Sequence, residues 1–230
     1  MRRVTAAFAA ALALAVPVRA QEPSALVPTV VTTGEATVSR PPDVAYLTLA
    51  VESRSRNPRD AQKDNAEAMA GVQKRLADAG IPKDAMRTLG LWLNQEFDTV
   101  NLRRVSRGYV ARNTLEVRID EVARAGEISD EVVQGGATSL GGIRFELKDR
   151  AAAEREALRL AVGEARRRAE AAAAGAGRSI DRILRIEDSR ADGGGPTRML
   201  MRAEASAAQT IVEPGMIEVQ ARVSLTASMK

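Results

Sequence analysis

The chain of 230 residues contains no cysteine and no histidine. Without these residue types, catalytic arrangements such as the Ser-His-Asp triad or the Cys-His pair cannot be built. The ordinary zinc and transition-metal sites depend on imidazole or thiolate ligands and are excluded for the same reason. Disulfide bonds cannot contribute to stability either. The sequence therefore predicts a protein that is not an enzyme and that needs no cofactor.

Aromatic residues and net charge are also scarce. The chain has one Trp, two Tyr and three Phe, which leaves little material for stacking nucleic-acid bases. Of the 34 basic residues, three lie within residues 1–20, so the remainder carries 31 basic and 30 acidic residues. A nearly neutral surface with mixed signs offers no electrostatic footprint for nucleic acid. We therefore expect no nucleic-acid partner.

Residues 1–20 have the three parts of a bacterial signal peptide. Arg2 and Arg3 are followed by an apolar run over residues 4–16, and small residues at positions 18 and 20 allow cleavage after Ala20. The apolar run is too short for a membrane span, which needs about 20 residues. The leader predicts export to the periplasm. We expect residues 21–28 to form a flexible start of the mature chain.

Periodicity in the remaining chain indicates an α+β protein. Alternating apolar residues predict strands over 29–39, 44–52, 88–98, 109–120, 142–147, 180–188 and 216–226. Apolar residues at helical spacing predict helices over 59–79, 122–134 and 150–174. Short connections between neighbouring strands favour hairpins. The prediction is therefore one mixed, largely antiparallel sheet with all three helices packed on one face.

Local patterns define several of these elements in more detail. In the third helix, alanine recurs every four residues from 157 to 173, and such a seam allows a helix to approach a sheet closely. Asp149 is the expected N-cap of this helix. Asn65 lies on the apolar stripe of the first helix, where it is expected to form buried hydrogen bonds. Residues 101–108 are expected to form a basic turn.

Three groups of residues are candidates for chemistry or binding. Met199 and Met201 lie in a long loop over 189–213, where paired thioethers could bind Cu(I) or could simply form a small apolar spot. Acidic residues in or beside strands could form a catalytic carboxylate pair or a solvated sheet face: Asp43, Glu52, Glu96 and Glu116. Basic residues of the expected turn could meet anionic lipid or glycan, or water alone: Arg103, Arg104 and Arg107.

The order and spacing of these segments resemble the SIMPL-domain family over residues 29–227. The resemblance rests on the run 33–38, on 42–45, on the helix and turn between Asn65 and Thr88, on Gly108-Tyr109 and on 214–216. It implies a periplasmic or outer-membrane-associated bacterial protein. Members include immunogenic periplasmic antigens and proteins of oxidative-stress defence, and at least one forms a large ring-shaped oligomer. The family has no established catalytic residues, so none is transferred to this chain.

Together these features predict a non-enzymatic exported protein of the cell envelope. It is expected to assemble with copies of itself and to support envelope integrity or stress tolerance, with association with the outer membrane left open. One alternative is a periplasmic ligand- or metal-binding stress protein that uses Met199 and Met201. A second alternative is a carboxylate-based hydrolase of the envelope.

Overall fold

Seven strands and three helices form two antiparallel sheets in the computed structural model, which describes residues 27–100, 102–189 and 212–230. The strands are β1 (Thr29–Arg40), β2 (Val44–Ser55), β3 (Met86–Val100), β4 (Arg103–Ile119), β5 (Ser139–Glu146), β6 (Ile180–Asp188) and β7 (Ile217–Met229). The helices are α1 (Pro58–Asp78), α2 (Ala125–Gln134) and α3 (Arg150–Gly175).

The larger sheet has four strands in the order β3-β4-β2-β5. Helix α1 packs across β2 and β4, and α2 packs beside it. Alternate residues of β2, including Leu47 and Leu49, point towards the helices and are fully buried against apolar side chains such as Val72, Leu76 and Ile128. Because successive side chains of a strand point to opposite faces, the residues between them form the second face of this sheet. No described helix covers that face.

The smaller sheet has three strands in the order β1-β7-β6. Helix α3 packs across β1 and β7 through its alanine seam, and every member of the seam is buried: Ala153, Ala157, Ala161, Ala165, Ala169 and Ala173. The seam faces Val223 and Leu225 of β7. Small side chains bring the helix close to the sheet, as the sequence predicts.

The α+β class and the antiparallel pairing are confirmed, but the strands are divided between two sheets instead of forming one. Each sheet carries its own helices and its own apolar core. The division arises at Pro41-Pro42, where β1 and β2 part. Strand β1 pairs with the C-terminal β7, whereas β2 pairs with β4 and β5.

The basic turn expected over 101–108 is largely strand. Strand β4 already begins at Arg103 and pairs with β3 as far as Val100, so the two strands form a long hairpin arm. At its tip, Leu102 is 98% exposed and has a φ of 63°. This end of the arm lies beyond the helices, so the strand needs no apolar face there. The sequence of this segment therefore lacks the alternation of apolar and polar residues that would predict a strand.

The cap of α3 and the buried amide follow the sequence predictions, whereas α2 begins at Ala125 and not at residue 122. The Asp149 side chain accepts a hydrogen bond from the Ala152 N–H at 2.8 Å and caps α3. Asn65 is only 1% exposed, and its Nδ2 donates to the carbonyl oxygens of Val51 and Ala111 at 2.9 and 3.0 Å. This amide therefore joins α1 to two adjacent strands.

None of the helices in the described ranges combines the length and the apolarity that crossing a bilayer would require.

Candidate functional site

The helix-free face of the four-stranded sheet holds two surface depressions. Two shallow grooves lie side by side along β2, β3 and β4. Most of their lining residues are polar or aromatic, because the apolar half of each strand faces the helices. We call them the Trp92 groove and the Tyr46 groove.

The Trp92 groove has a volume of about 480 Å³ and is open to solvent. Its lining residues come from three neighbouring strands: Glu52, Trp92, Asn94, Glu96, Val110, Arg112 and Thr114. The strand register places Trp92 opposite Arg112, and Arg112 opposite Glu52, so these three side chains form one row across the sheet.

The indole of Trp92 folds back over the strand. A Cβ atom at Gly90 would lie 2.6 Å from the indole Cζ2 and still closer to Cη2, so only glycine leaves room for the ring at this position. Both residues point to the same face because they are two positions apart. The side chain of Trp92 remains 49% exposed. The fold therefore presents an aromatic surface to solvent at one end of the groove.

Arginine side chains neutralise the carboxylates of the Trp92 groove. Arg54 contacts Glu52 at 2.5 Å and Glu96 at 3.5 Å, and Arg112 contacts Glu52 at 3.8 Å. Two acidic and two basic groups thus share one network on the sheet surface. The groove has no net charge, but it offers both hydrogen-bond donors and acceptors.

In the Tyr46 groove, which encloses about 300 Å³, the charged groups are also paired. The guanidinium of Arg144 lies 4.7 Å from the centre of the Tyr46 ring and also contacts Glu116 at 3.3 Å. Glu116 also forms an ion pair with a second arginine, Arg87, at 2.7 Å. The charged side chains of this groove are therefore paired with one another.

Asp120 lies just beyond the end of β4, close to the Tyr46 groove. Its carboxylate contacts Lys148 at 2.9 Å and Arg118 at 3.4 Å. The hydrogen bond from Lys148, together with the positive charges of Arg118 and Lys148, lowers the pKa of Asp120 below its ordinary value of 3.8. The carboxylate is therefore held in its charged form.

On the face opposite to the two grooves, the β3–β4 arm carries an exposed apolar strip. Leu91, Leu93 and Phe97 point to the helix side of the sheet, but α1 covers only β2 and β4, so these side chains remain 54%, 43% and 43% exposed. The outer edge of β3 has no paired strand among the described residues. At the other sheet, edge strand β6 similarly exposes Ile183 and Ile186 beside α3.

The structure places each of the carboxylates named from the sequence beside a positive group or a backbone N–H. Glu52 and Glu96 share Arg54, Glu116 is held by two arginines, and Asp43 accepts a hydrogen bond from the Lys148 N–H at 2.6 Å. Within the described ranges, no group of three or more potential ligand residues is placed to hold a metal ion.

The three arginines that the sequence assigned to a basic turn lie on strand β4 of the arm. Arg104 lies over the Phe97 ring, 4.3 Å from its centre, and Arg107 contacts Asp98 at 3.5 Å. Arg103 opens β4 next to the tip. Met199 and Met201 lie outside the described residues, as do the leader over 1–20 and most of the loop over 189–213. The metal-binding hypothesis for the two methionines stays a prediction.

Sequence reasoning missed the Trp92 groove. The one available signal is that the single Trp of the chain sits among alternating leucines, on the face that they do not use. Its neighbours in the groove come from residues 52 and 110–114, and only the strand register brings them together.

Comparison with known proteins relates this chain to one family and to several bacterial proteins. A family model described as SIMPL, a protein of unknown function (DUF541), matches residues 30–227. The 26 kDa periplasmic immunogenic protein of Brucella melitensis is 31% identical over 161 residues, which are 68% of this chain and 64% of that protein. The protein of the same name from Brucella abortus gives the same figures.

The uncharacterized protein YggE of Escherichia coli K12 is 23% identical over 159 residues, which are 69% of this chain and 65% of YggE. The chain thus matches slightly less than two thirds of the length of these relatives. None of their names is that of an enzyme.

Proposed function

Because the chain belongs to the SIMPL (DUF541) family, which includes a periplasmic protein of Brucella, we propose that it is a non-enzymatic periplasmic protein that assembles with copies of itself. In this proposal the assembly supports the integrity of the envelope under stress. The leader-like residues 1–20 and the periplasmic name of the Brucella relatives support the location.

The exposed edge of β3 is the observation that carries the assembly. An edge strand presents unpaired N–H and C=O groups, which act as a template for another strand. Soluble proteins usually protect such edges with charges, prolines or a covering helix. The charges and register shifts of β3 lie towards its two ends, and between them Leu91 and Leu93 add an apolar strip beside the open edge. Contact with a second protein would bury both the strip and the backbone groups.

The exposed edge of β6 supports a head-to-tail contact. It carries Ile183 and Ile186 on the helix side of the smaller sheet, so one molecule has two different apolar edges. If the β3 edge of one copy meets the β6 edge of the next, the interface is heterologous. Such interfaces build rings when the rotation closes and filaments when it does not.

Light scattering after size exclusion tests this proposal. The protein is expressed from the full sequence, purified from the periplasmic fraction and measured at micromolar concentration. We expect one large species, and we expect Leu91→Ser/Leu93→Ser and Ile183→Ser/Ile186→Ser each to yield smaller particles. The control is Val133→Ser/Leu160→Ser, which removes two exposed apolar side chains of α2 and α3 and should leave the size unchanged. A monomeric wild-type protein would refute the assembly.

Mixing the two edge variants separates the possible geometries. In a head-to-tail contact, the intact β6 edge of one variant meets the intact β3 edge of the other, so the mixture forms dimers that neither variant forms alone. In a symmetric β3–β3 contact, Ile183→Ser/Ile186→Ser still dimerises by itself. The role in the envelope is tested by complementing a deletion strain under detergent and peroxide stress. We expect the wild-type gene to restore growth and the Leu91→Ser/Leu93→Ser gene to fail.

A further inference from the structure

The Trp92 groove combines an aromatic platform with polar side chains at the same level of the sheet. The indole lies against Gly90 and leaves half of its surface in solvent. Asn94 and Glu96 follow on the same face of β3, and Arg112 stands opposite Trp92 on β4.

The charges of the groove restrict the class of ligand. Glu52 and Glu96 are matched by Arg54 and Arg112, so neither an anionic nor a cationic ligand gains a net attraction. Carboxylates accept hydrogen bonds, guanidinium groups donate them, and the amide of Asn94 does both. Such a surface suits a neutral ligand that is rich in hydroxyl groups, because each hydroxyl is both a donor and an acceptor.

The shape of the groove agrees with this chemistry. Its volume of about 480 Å³ lies within the range of small-molecule sites, yet it is open along the sheet and could hold part of a longer chain. We propose that the Trp92 groove binds a neutral oligosaccharide, with the C–H face of one pyranose ring stacked on the indole and its hydroxyl groups bonded to Asn94, Glu96 and Arg112.

An extended peptide fits this surface less well. Peptides that bind to sheets usually add a strand at an edge, where free backbone groups supply the hydrogen bonds. The Trp92 groove lies on the face of the sheet, and the strands that form it are paired through Trp92–Arg112 and Glu52–Arg112. The backbone groups between these strands are therefore engaged, and the free ones lie along the outer edge of β3, beside the groove and not within it.

Trp92 is the only tryptophan of the chain, so its fluorescence reports on this groove alone. The full-sequence protein, purified from the periplasm, is titrated with two neutral β-1,4-linked tetramers, tetra-N-acetylchitotetraose and cellotetraose. We expect a saturable change in emission with at least one of them. A lack of saturable change with both sugars would overturn the proposal, as would a change seen only with an extended peptide of mixed sequence.

Variants identify the residues that bind the sugar, with calorimetry as the readout. Trp92→Ala should weaken binding by about tenfold or more, as expected for a central aromatic contact, whereas Trp92→Phe should retain part of it. Gly90→Ala keeps the tryptophan but displaces the ring, so it should also weaken binding. Arg144→Ala alters the neighbouring Tyr46 groove and serves as the matched control, with unchanged affinity expected. Equal affinity of wild type and Trp92→Ala would overturn the assignment.

Sugar binding and assembly can be tested separately, because Trp92 and Leu91 point to opposite faces of β3. The variant Leu91→Ser/Leu93→Ser, which is designed to disperse the assembly, should bind the tetramer with the wild-type affinity. Conversely, Trp92→Ala should elute at the size of the wild type. Loss of sugar binding in the dispersed variant would overturn the assignment to the groove of a single chain.

Discussion

Gly34 of β1 lies directly against Ala165 of α3. A Cβ atom at position 34 would stand 2.9 Å from the Cβ of Ala165 and closer still to its backbone nitrogen and to the carbonyl oxygen of Ala161. Beside this contact, the hydroxyl of Thr32 donates to the Ala165 carbonyl at 2.7 Å. The distance between helix and strand is therefore one that only glycine permits.

We expect Gly34→Ala to lower the free energy of unfolding by about 2–3 kcal/mol, because the added methyl group meets backbone that cannot move aside. The matched control is Gly163→Ala within α3, where the new methyl group meets only the end of the Arg167 side chain at 3.7 Å. This control should stabilise the protein by about 0.5–1 kcal/mol, since alanine favours the helix. Urea denaturation measures both. Equal effects of the two substitutions would contradict the close packing.

The amide of Asn65 bonds to carbonyl oxygens of two strands inside the larger core. Asn65→Ala should cost about 2–4 kcal/mol, because it removes two buried hydrogen bonds and leaves a cavity. Asn94→Ala, on the exposed face of β3, is the control and should change stability by less than about 0.5 kcal/mol. Hydrogen exchange should also show earlier opening of β2 and β4 in Asn65→Ala. An unchanged denaturation midpoint would show that these bonds contribute nothing.

Asp149 caps α3 through its bond to the Ala152 N–H. Replacing it with alanine should destabilise the protein by about 1 kcal/mol, whereas Asp149→Ser, which retains a cap acceptor, should cost only a few tenths. Thermal unfolding followed by circular dichroism compares the two variants. If serine and alanine are equally harmful, the contribution of Asp149 comes from its charge and not from capping.

The lowered pKa of Asp120 makes part of the stability depend on pH. Since the folded protein holds this carboxylate ionised more strongly than the unfolded chain does, its contribution is fully present above the ordinary value of 3.8 and disappears as the pH falls through the folded pKa. Asp120→Asn should therefore be less stable than wild type at pH 7, and the two should converge in acid. Lys148→Met should reproduce the loss at pH 7, because it removes the main cause of the shift. A difference that persists at pH 2 would refute this account.

Helices and strands could largely be predicted from the sequence because their patterns are local. The alanine seam, the cap at Asp149 and the buried Asn65 each follow from a few neighbouring residues, and the structure has all three. The division into two sheets could not be predicted in this way. It depends on the pairing of β1 with β7, whose residues Thr29 and Ser228 stand at opposite ends of the domain sequence.

The candidate sites were less accessible to sequence reasoning. Glu52 and Glu96 could be named as carboxylates near strands, but their neutralisation by Arg54 depends on the register of three strands. The apolar strip of Leu91 and Leu93 has the alternation of an ordinary buried face. Its exposure follows from the width of the helix layer, which ends at β4, and no local pattern encodes that width.

The strand order also determines when each sheet can form during synthesis. Strands β2 to β5 and helices α1 and α2 are contiguous in the chain, between Val44 and Glu146, so the larger sheet is a cooperative unit that can close as soon as this segment emerges. Strand β1 precedes this segment but, among the described strands, pairs only with β7, which follows all the others. Its partner is also its most distant contact in sequence, so we expect closure of the smaller sheet to be the slow step of folding. Until then, β1 and the alanine face of α3 are exposed to whatever chaperones and proteases the compartment contains.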